Sequence, residues 1–220
     1  PEDAVPHQRR RAGEVAADWA AATREALVAV VGEAAAARVL DRLLPVVPAG
    51  YDELNWPNSA AIDLPIIDRI ASTVADDAVE TAMMHFTEAG TNEWRFRVYH
   101  GGSAVPIADL LPLLDQLGFR AIDERAFSFH LGARSVWLHD VGVQVPEGID
   151  LTPEARAEVQ RAFVAEFENT VEVDGLNRLV LRAGLTARQV ELLRAYARYL
   201  RQIGFPFSQQ YIETTLVRHA

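Results

Sequence analysis

The chain has 220 residues, 50% of them hydrophobic, with 31 acidic against 21 basic side chains and a net charge of −10. That length suffices for one large domain or two small ones with a real core. The acidity opposes a nucleic-acid partner, and no window approaches the ~20 apolar residues that cross a bilayer. Cysteine is absent, which excludes disulfides, thiolate zinc sites and a cysteine nucleophile and fits a reducing, cytoplasmic setting. Every basic residue is arginine, so the lysine of a P-loop and any Schiff-base lysine are missing too. The chain opens on Pro1 and stops at Arg218-His219-Ala220 directly after a helical pattern; it reads as a piece of a longer polypeptide.

In the first third, Val15, Trp19, Ala22, Ala26 and Val30 recur at helical steps from about Gly13 to Val31. A second helical run carries Ala37, Leu40, Leu43 and Leu44 and ends at Pro45, and a short third helix carries Leu64, Ile67 and Ile70. The period then changes to two. Residues 79–88 and 93–100 predict a hairpin around Ala89-Gly90-Thr91-Asn92, with Trp94, Phe96 and Val98 alternating against Arg95, Arg97 and Tyr99. Gly101-Gly102-Ser103 breaks the second strand, and Val105-Pro106 opens a helix with Ile107, Leu110, Leu111, Leu114 and Leu117 on one stripe, closed by Gly118. Pro112 inside that stripe predicts a kink or an early restart.

Strands Phe119–Leu131 and Arg134–Val145 follow, joined through Gly132-Ala133. Helices return at Thr152-Pro153-Glu154, where Thr152 is placed to cap, with Ala155, Val159, Phe163 and Phe167 on one side. A helix from about Thr186 to Ile203 and a last one opened by Ser208 complete the chain, with Tyr211 set to close against Phe207. The reading is α+β: an antiparallel sheet module over 76–150, flanked by helical segments at 1–75 and 151–220.

No self-contained active site emerges. The six histidines have no zinc-type spacing. His130 and His139, on two arms of one predicted hairpin, are read as structural or surface residues. Asp76-Asp77-Glu80 and Asp123-Glu124-Arg125 are read as solvated charge. There is no G-x-S-x-G elbow and no G-x-G-x-x-G fingerprint. The turn Gly101-Gly102-Ser103-Ala104 is one place for a small ligand: its backbone N–H groups and the following helix dipole suit a carboxylate or phosphate. A tight turn with positive-φ glycines and a capping serine explains the same residues. Arg194, Arg198 and Arg201 beside Tyr196 and Tyr199 read as arginines at a protein interface.

The segment from Gly175 to His219, with its NRLVLRAGL run, its LLRAYARYLRQ helix and its FSQQYIE start, resembles the long bacterial NAD-specific glutamate dehydrogenases. Strand EWRFRVYHGG, helix VPIADLLPLLDQLG and strands FRAIDERAFSF and SVWLHDVGVQV are similar to one of that family's ACT-type modules, a ferredoxin-like unit. The resemblance implies a homo-oligomeric parent enzyme that deaminates L-glutamate oxidatively with NAD, in amino-acid catabolism. It implies no cofactor and no catalytic residue within this chain, because the family's chemistry belongs to a catalytic domain with lysines and a Rossmann-type fingerprint. It also implies an amino-acid effector at Gly101, Gly102, Ser103 and Ala104, and contacts to the rest of the polypeptide. A different class stays open: an independent acidic interaction or amino-acid-sensing domain with no enzyme role.

Overall fold

A computed structural model describes the backbone of residues 4–73, 75, 77–85 and 93–220, with side chains from residue 18 onward. The elements in order are α1 (Ala4–Val31), α2 (Glu33–Leu43), a 3-10 turn (Leu44–Val46), α3 (Tyr51–Leu54), α4 (Pro57–Ser72), β1 (Val79–His85) and β2 (Glu93–Gly101). Then come α5 (Ile107–Leu117), β3 (Arg120–Leu131), β4 (Arg134–Gln144), α6 (Pro153–Phe167), a 3-10 turn (Gly175–Asn177), α7 (Arg178–Ala183), α8 (Ala187–Gln202) and α9 (Gln209–Arg218). The predicted α+β class and the ACT-type module hold. Where the spacing predicts a short third helix, α4 runs for 16 residues. The predicted turn at 89–92 lies outside the described residues. Among the described residues no helix is long and apolar enough to cross a membrane.

The four strands form one antiparallel sheet in the order β1-β2-β4-β3. The step β2-α5-β3 passes over β4, as in the split βαβ of ferredoxin-like folds. The edge beside β2 is filled by β1, which precedes the unit in sequence. Gly132, at φ +68, makes the β3–β4 turn that the dipeptide predicts. α5 passes through Pro112 as one helix, without the early restart that the proline allowed. Pro112 and Ala108, whose carbonyl would lose its donor, are both exposed, so water can satisfy the gap. Only Leu110, Leu114 and Leu117 of its stripe are buried; Ile107 and Leu111 stay exposed.

The chain divides into two compact units. The first holds residues 1–80, 99–104 and 126–138. There, Leu27, Leu40, Leu43, Leu64 and Ile67 are buried from three helices, α1, α2 and α4, and Trp19 donates its indole N–H to the Asn55 carbonyl at 2.7 Å. At its centre Asp63 is fully buried. It accepts hydrogen bonds from Tyr51 and, at 2.6 Å, from Tyr99. The Tyr51 ring stands edge-on to Phe127 and Phe129, each at 5.3 Å.

The second unit holds 81–98, 105–125 and 139–220. Phe96 of β2 meets Phe163 of α6 at 4.9 Å and Phe119 at 6.0 Å. The alternate side chains are polar and nevertheless buried: Arg95 binds Asp140 at 2.9 Å and also Asp123, and Arg97 lies 3.3 Å from the same Asp140 carboxylate. Gly142 is needed beside them, since a Cβ there would lie 2.7 Å from Arg95 Nη1.

Asp63→Ala removes the acceptor that two buried tyrosine hydroxyls share and is expected to lower unfolding stability by about 3 kcal/mol, against about 1 kcal/mol for Tyr99→Phe. Urea titration of the two variants checks this order.

Candidate functional site

The turn after β2 comes first. Gly102 adopts φ +84, a value that suits glycine. The Gly101 N–H donates to the Ala78 carbonyl at 2.9 Å and the Gly102 N–H to the Ser135 carbonyl at 2.8 Å. Ser103 does not cap the helix; α5 has Pro106 at its N-cap with no side-chain bond, and the Ser103 carbonyl lies 2.9 Å from His100 Nδ1. Gly101 and Gly102 line a hollow of about 220 Å³ with Ile70, Ala71, Arg134 and Ser135. Ser103 and Ala104 are exposed and stand outside that lining. Two of the four amides are thus spent on protein carbonyls, and the Arg134 guanidinium donates to the Ala71 and Thr73 carbonyls.

A second constellation was not read from the sequence. Glu166 of α6 is 2% exposed. Its Oε1 accepts from Asn177 at 2.6 Å, while Oε2 is buried without a partner among the described residues. The Asn177 side-chain oxygen accepts from Arg194 of α8 at 2.7 Å. Arg194 is 4% exposed and grips Asp174 through Nε at 2.7 Å and Nη2 at 3.0 Å. Asp174 in turn accepts the Leu176 N–H at 3.0 Å and so starts the second 3-10 turn. Arg198, on the surface, pairs with Glu172.

The interface reading of the α8 arginines is therefore corrected for Arg194, which is spent on an internal cluster. The signal was available: Glu166 lies on the Val159–Phe163 stripe of α6 and Arg194 on the Val190–Ala197 stripe of α8. A charge of each sign on an apolar register predicts a buried pair. Burial pushes the Glu166 carboxyl up to about 7; the Asn177 hydrogen bond and the Arg194 charge pull it back, and Asp174 adds to the rise.

His139 is buried, accepts the Val105 N–H at Nε2 (3.2 Å) and pairs with Glu124 through Nδ1 (3.0 Å). His130 Nδ1 lies 2.9 Å from the Ser135 hydroxyl. His139 is thus a buried residue and His130 an exposed one. Among the described residues no group of three or more histidines and carboxylates is arranged to hold a metal ion.

Fold and geometry define the class: an ACT-type α+β module continued by a helical motif tied down by a buried arginine. Residues 79–157 match the family model for the glutamate dehydrogenase ACT3 domain, and residues 171–220 the model for glutamate dehydrogenase helical motif 3. The NAD-specific glutamate dehydrogenase of Halomonas elongata is 31% identical over 210 residues, which is 94% of this chain and 13% of that protein. The Pseudomonas aeruginosa enzyme of the same name is 35% identical over 191 residues (86% of the chain, 12% of the protein). That of Mycobacterium tuberculosis is 36% identical over 176 (77% and 10%). The chain belongs to the NAD-specific glutamate dehydrogenase family, and it spans between 10% and 13% of the length of these relatives.

Because the folded state prefers Glu166 protonated, its contribution to stability is fully present below about pH 4.5 and is lost as pH rises through about 7. Glu166→Gln keeps an acceptor for Asn177 and is expected to stabilise the chain at pH 8 by on the order of 2 kcal/mol, with no gain at pH 4. Denaturant midpoints measured across that range check it.

Proposed function

We propose that this chain is a non-catalytic regulatory and assembly segment of an NAD-dependent glutamate dehydrogenase. The parent's reaction is the oxidative deamination of L-glutamate to 2-oxoglutarate and ammonia in amino-acid catabolism. The observation that carries this reading is the pair of family matches, to an ACT domain over 79–157 and to a helical motif over 171–220. Its bottom-up support is chemical. With no lysine and no cysteine, and with its buried arginines committed to carboxylates, the chain offers structural ion pairs where a dehydrogenase needs a nucleotide cradle and a proton-transfer group.

Two observations support the two halves of the role. The hollow at Gly101, Gly102 and Arg134 suits one carboxylate of an amino-acid effector. Assembly is favoured by α8 and α9: Tyr196, Tyr199, Ile203, Phe207 and Tyr211 are exposed, and α9 has no buried residue. Aromatic and aliphatic rings left in water on this scale mark contact surfaces.

The purified chain is expected to produce no NADH from L-glutamate and NAD, and measurable turnover would overturn the non-catalytic assignment. Calorimetric titration with amino acids separates the roles. Heat that disappears on Gly102→Val supports an effector at the turn. No heat with any amino acid, together with concentration-dependent self-association, favours assembly alone.

A further inference from the structure

The segment 171–220 contains a cleft that neither its fold nor its family match explains. It measures about 510 Å³, within the range of small-ligand sites. Arg178 and Arg182 of α7 and Arg218 of α9 line it, together with Glu213, Thr214 and Gln116. Arg178 is partly committed, donating to the Asp115 carboxylate at 2.9 Å. Arg182 and Arg218 are exposed and make no hydrogen bond or ion pair among the described residues.

Two uncommitted guanidiniums and a third half-committed one line a single hollow and leave N–H donors free for an anion, with the Glu213 carboxylate on its wall. The surrounding chain is acidic, at −10 overall, so this local positive site is set against the general charge. Guanidinium forks are the side chains best shaped for carboxylate and phosphate oxygens. Two further features shape the site. Glu213 Oε2 lies where a Cβ on Gly175 would stand only 2.8 Å away, so the glycine lets the carboxylate settle at the cleft wall. The Gln116 side-chain oxygen is buried with no hydrogen-bond partner among the described residues.

The geometry points to a binding site for a small dianion, a dicarboxylate or a phosphate, held by Arg182 and Arg218 with Arg178 beside them. Glu213 sets its limit: a carboxylate on the wall weakens a pure anion and excludes larger polyanions. The site is separate from the turn at Gly101–Ala104 and stands whether or not that turn binds anything.

The test is isothermal titration of the chain at low ionic strength with inorganic phosphate, succinate and 2-oxoglutarate, with sodium chloride as the control. Saturable single-site heat is expected from at least one probe, and which probe gives it separates phosphate from dicarboxylate. Affinity should fall tenfold or more in the double variant Arg182→Gln/Arg218→Gln. It should hold in Arg188→Gln/Arg201→Gln, which removes the same charge from exposed positions outside the cleft. Glu213→Gln should tighten binding severalfold. No saturable heat from any probe, or equal loss in both double variants, overturns the site. Amino-acid heat that survives Arg182→Gln/Arg218→Gln belongs to the turn after β2, so the two readings fail separately.

Discussion

A guanidinium withdrawn from water holds the C-terminal helices in place. Arg194 is buried on α8, and the cost of desolvating it is met only because Asp174 takes two of its N–H groups, the Asn177 side chain a third contact and the Glu172 carbonyl a fourth. Each partner is also a structural element. Asp174 starts the 3-10 turn, Glu172 anchors Arg198, and Asn177 reaches back to Glu166 on α6. One side chain therefore sets where α8 lies against α6 and where α7 begins. Removing a partner from such a group leaves a buried charge, which costs several kcal/mol, whereas an exposed pair such as Arg161–Glu158 contributes at most a few tenths.

The consequences run outward from that cluster. Because the 3-10 turn at Gly175–Asn177 and α7 are fixed by Asp174 and Asn177, Arg178 and Arg182 project from a defined short helix, and α9 brings Arg218 to the same hollow. α9 itself buries no residue. Ten residues of helix are marginal in water without packing, so its order rests on the half-buried Ile212, Glu213, Thr215 and Val217 together with the Ser208 cap and the Phe207–Tyr211 stack at 4.6 Å. The same helix leaves Tyr211 and Leu216 exposed.

Much of this fold was legible in the sequence because local rules and the final structure agree. Thr152 and Ser208 cap their helices as the residue types demand, and Gly118 closes α5 in the left-handed region. Gly132-Ala133 turns the β3–β4 hairpin. What was not legible depends on partners far apart in sequence. Arg95, Arg97 and Tyr99 read as the solvated face of a half-buried strand, yet all three are buried, because Asp140, from 45 positions away, and Asp63, from 36, supply their counter-charges and acceptors. Period alone cannot tell a wet polar face from a satisfied buried one. Glu166 and Arg194 were missed for the same reason. The turn at Gly101–Ala104 was located correctly as a turn, while the carbonyls that take its amides belong to Ala78, just before β1, and Ser135 on β4, and leave no local trace.

The lack of lysine shapes what such a segment can sense. An arginine stays charged across the physiological range, so the cations here act as fixed points that bind anions or carboxylates without releasing protons. A response to pH then has to come from imidazoles or from a carboxyl displaced by burial, and Glu166 is such a carboxyl. It sits on α6, between the stretch that matches the ACT domain and the one that matches the helical motif. Its unpartnered oxygen and its single link through Asn177 to Arg194 mean that ionising it adds a negative charge to the cluster that fixes α8. The same hydrogen-bonded chain that gives the helices their arrangement therefore feels the charge of Glu166 when it ionises.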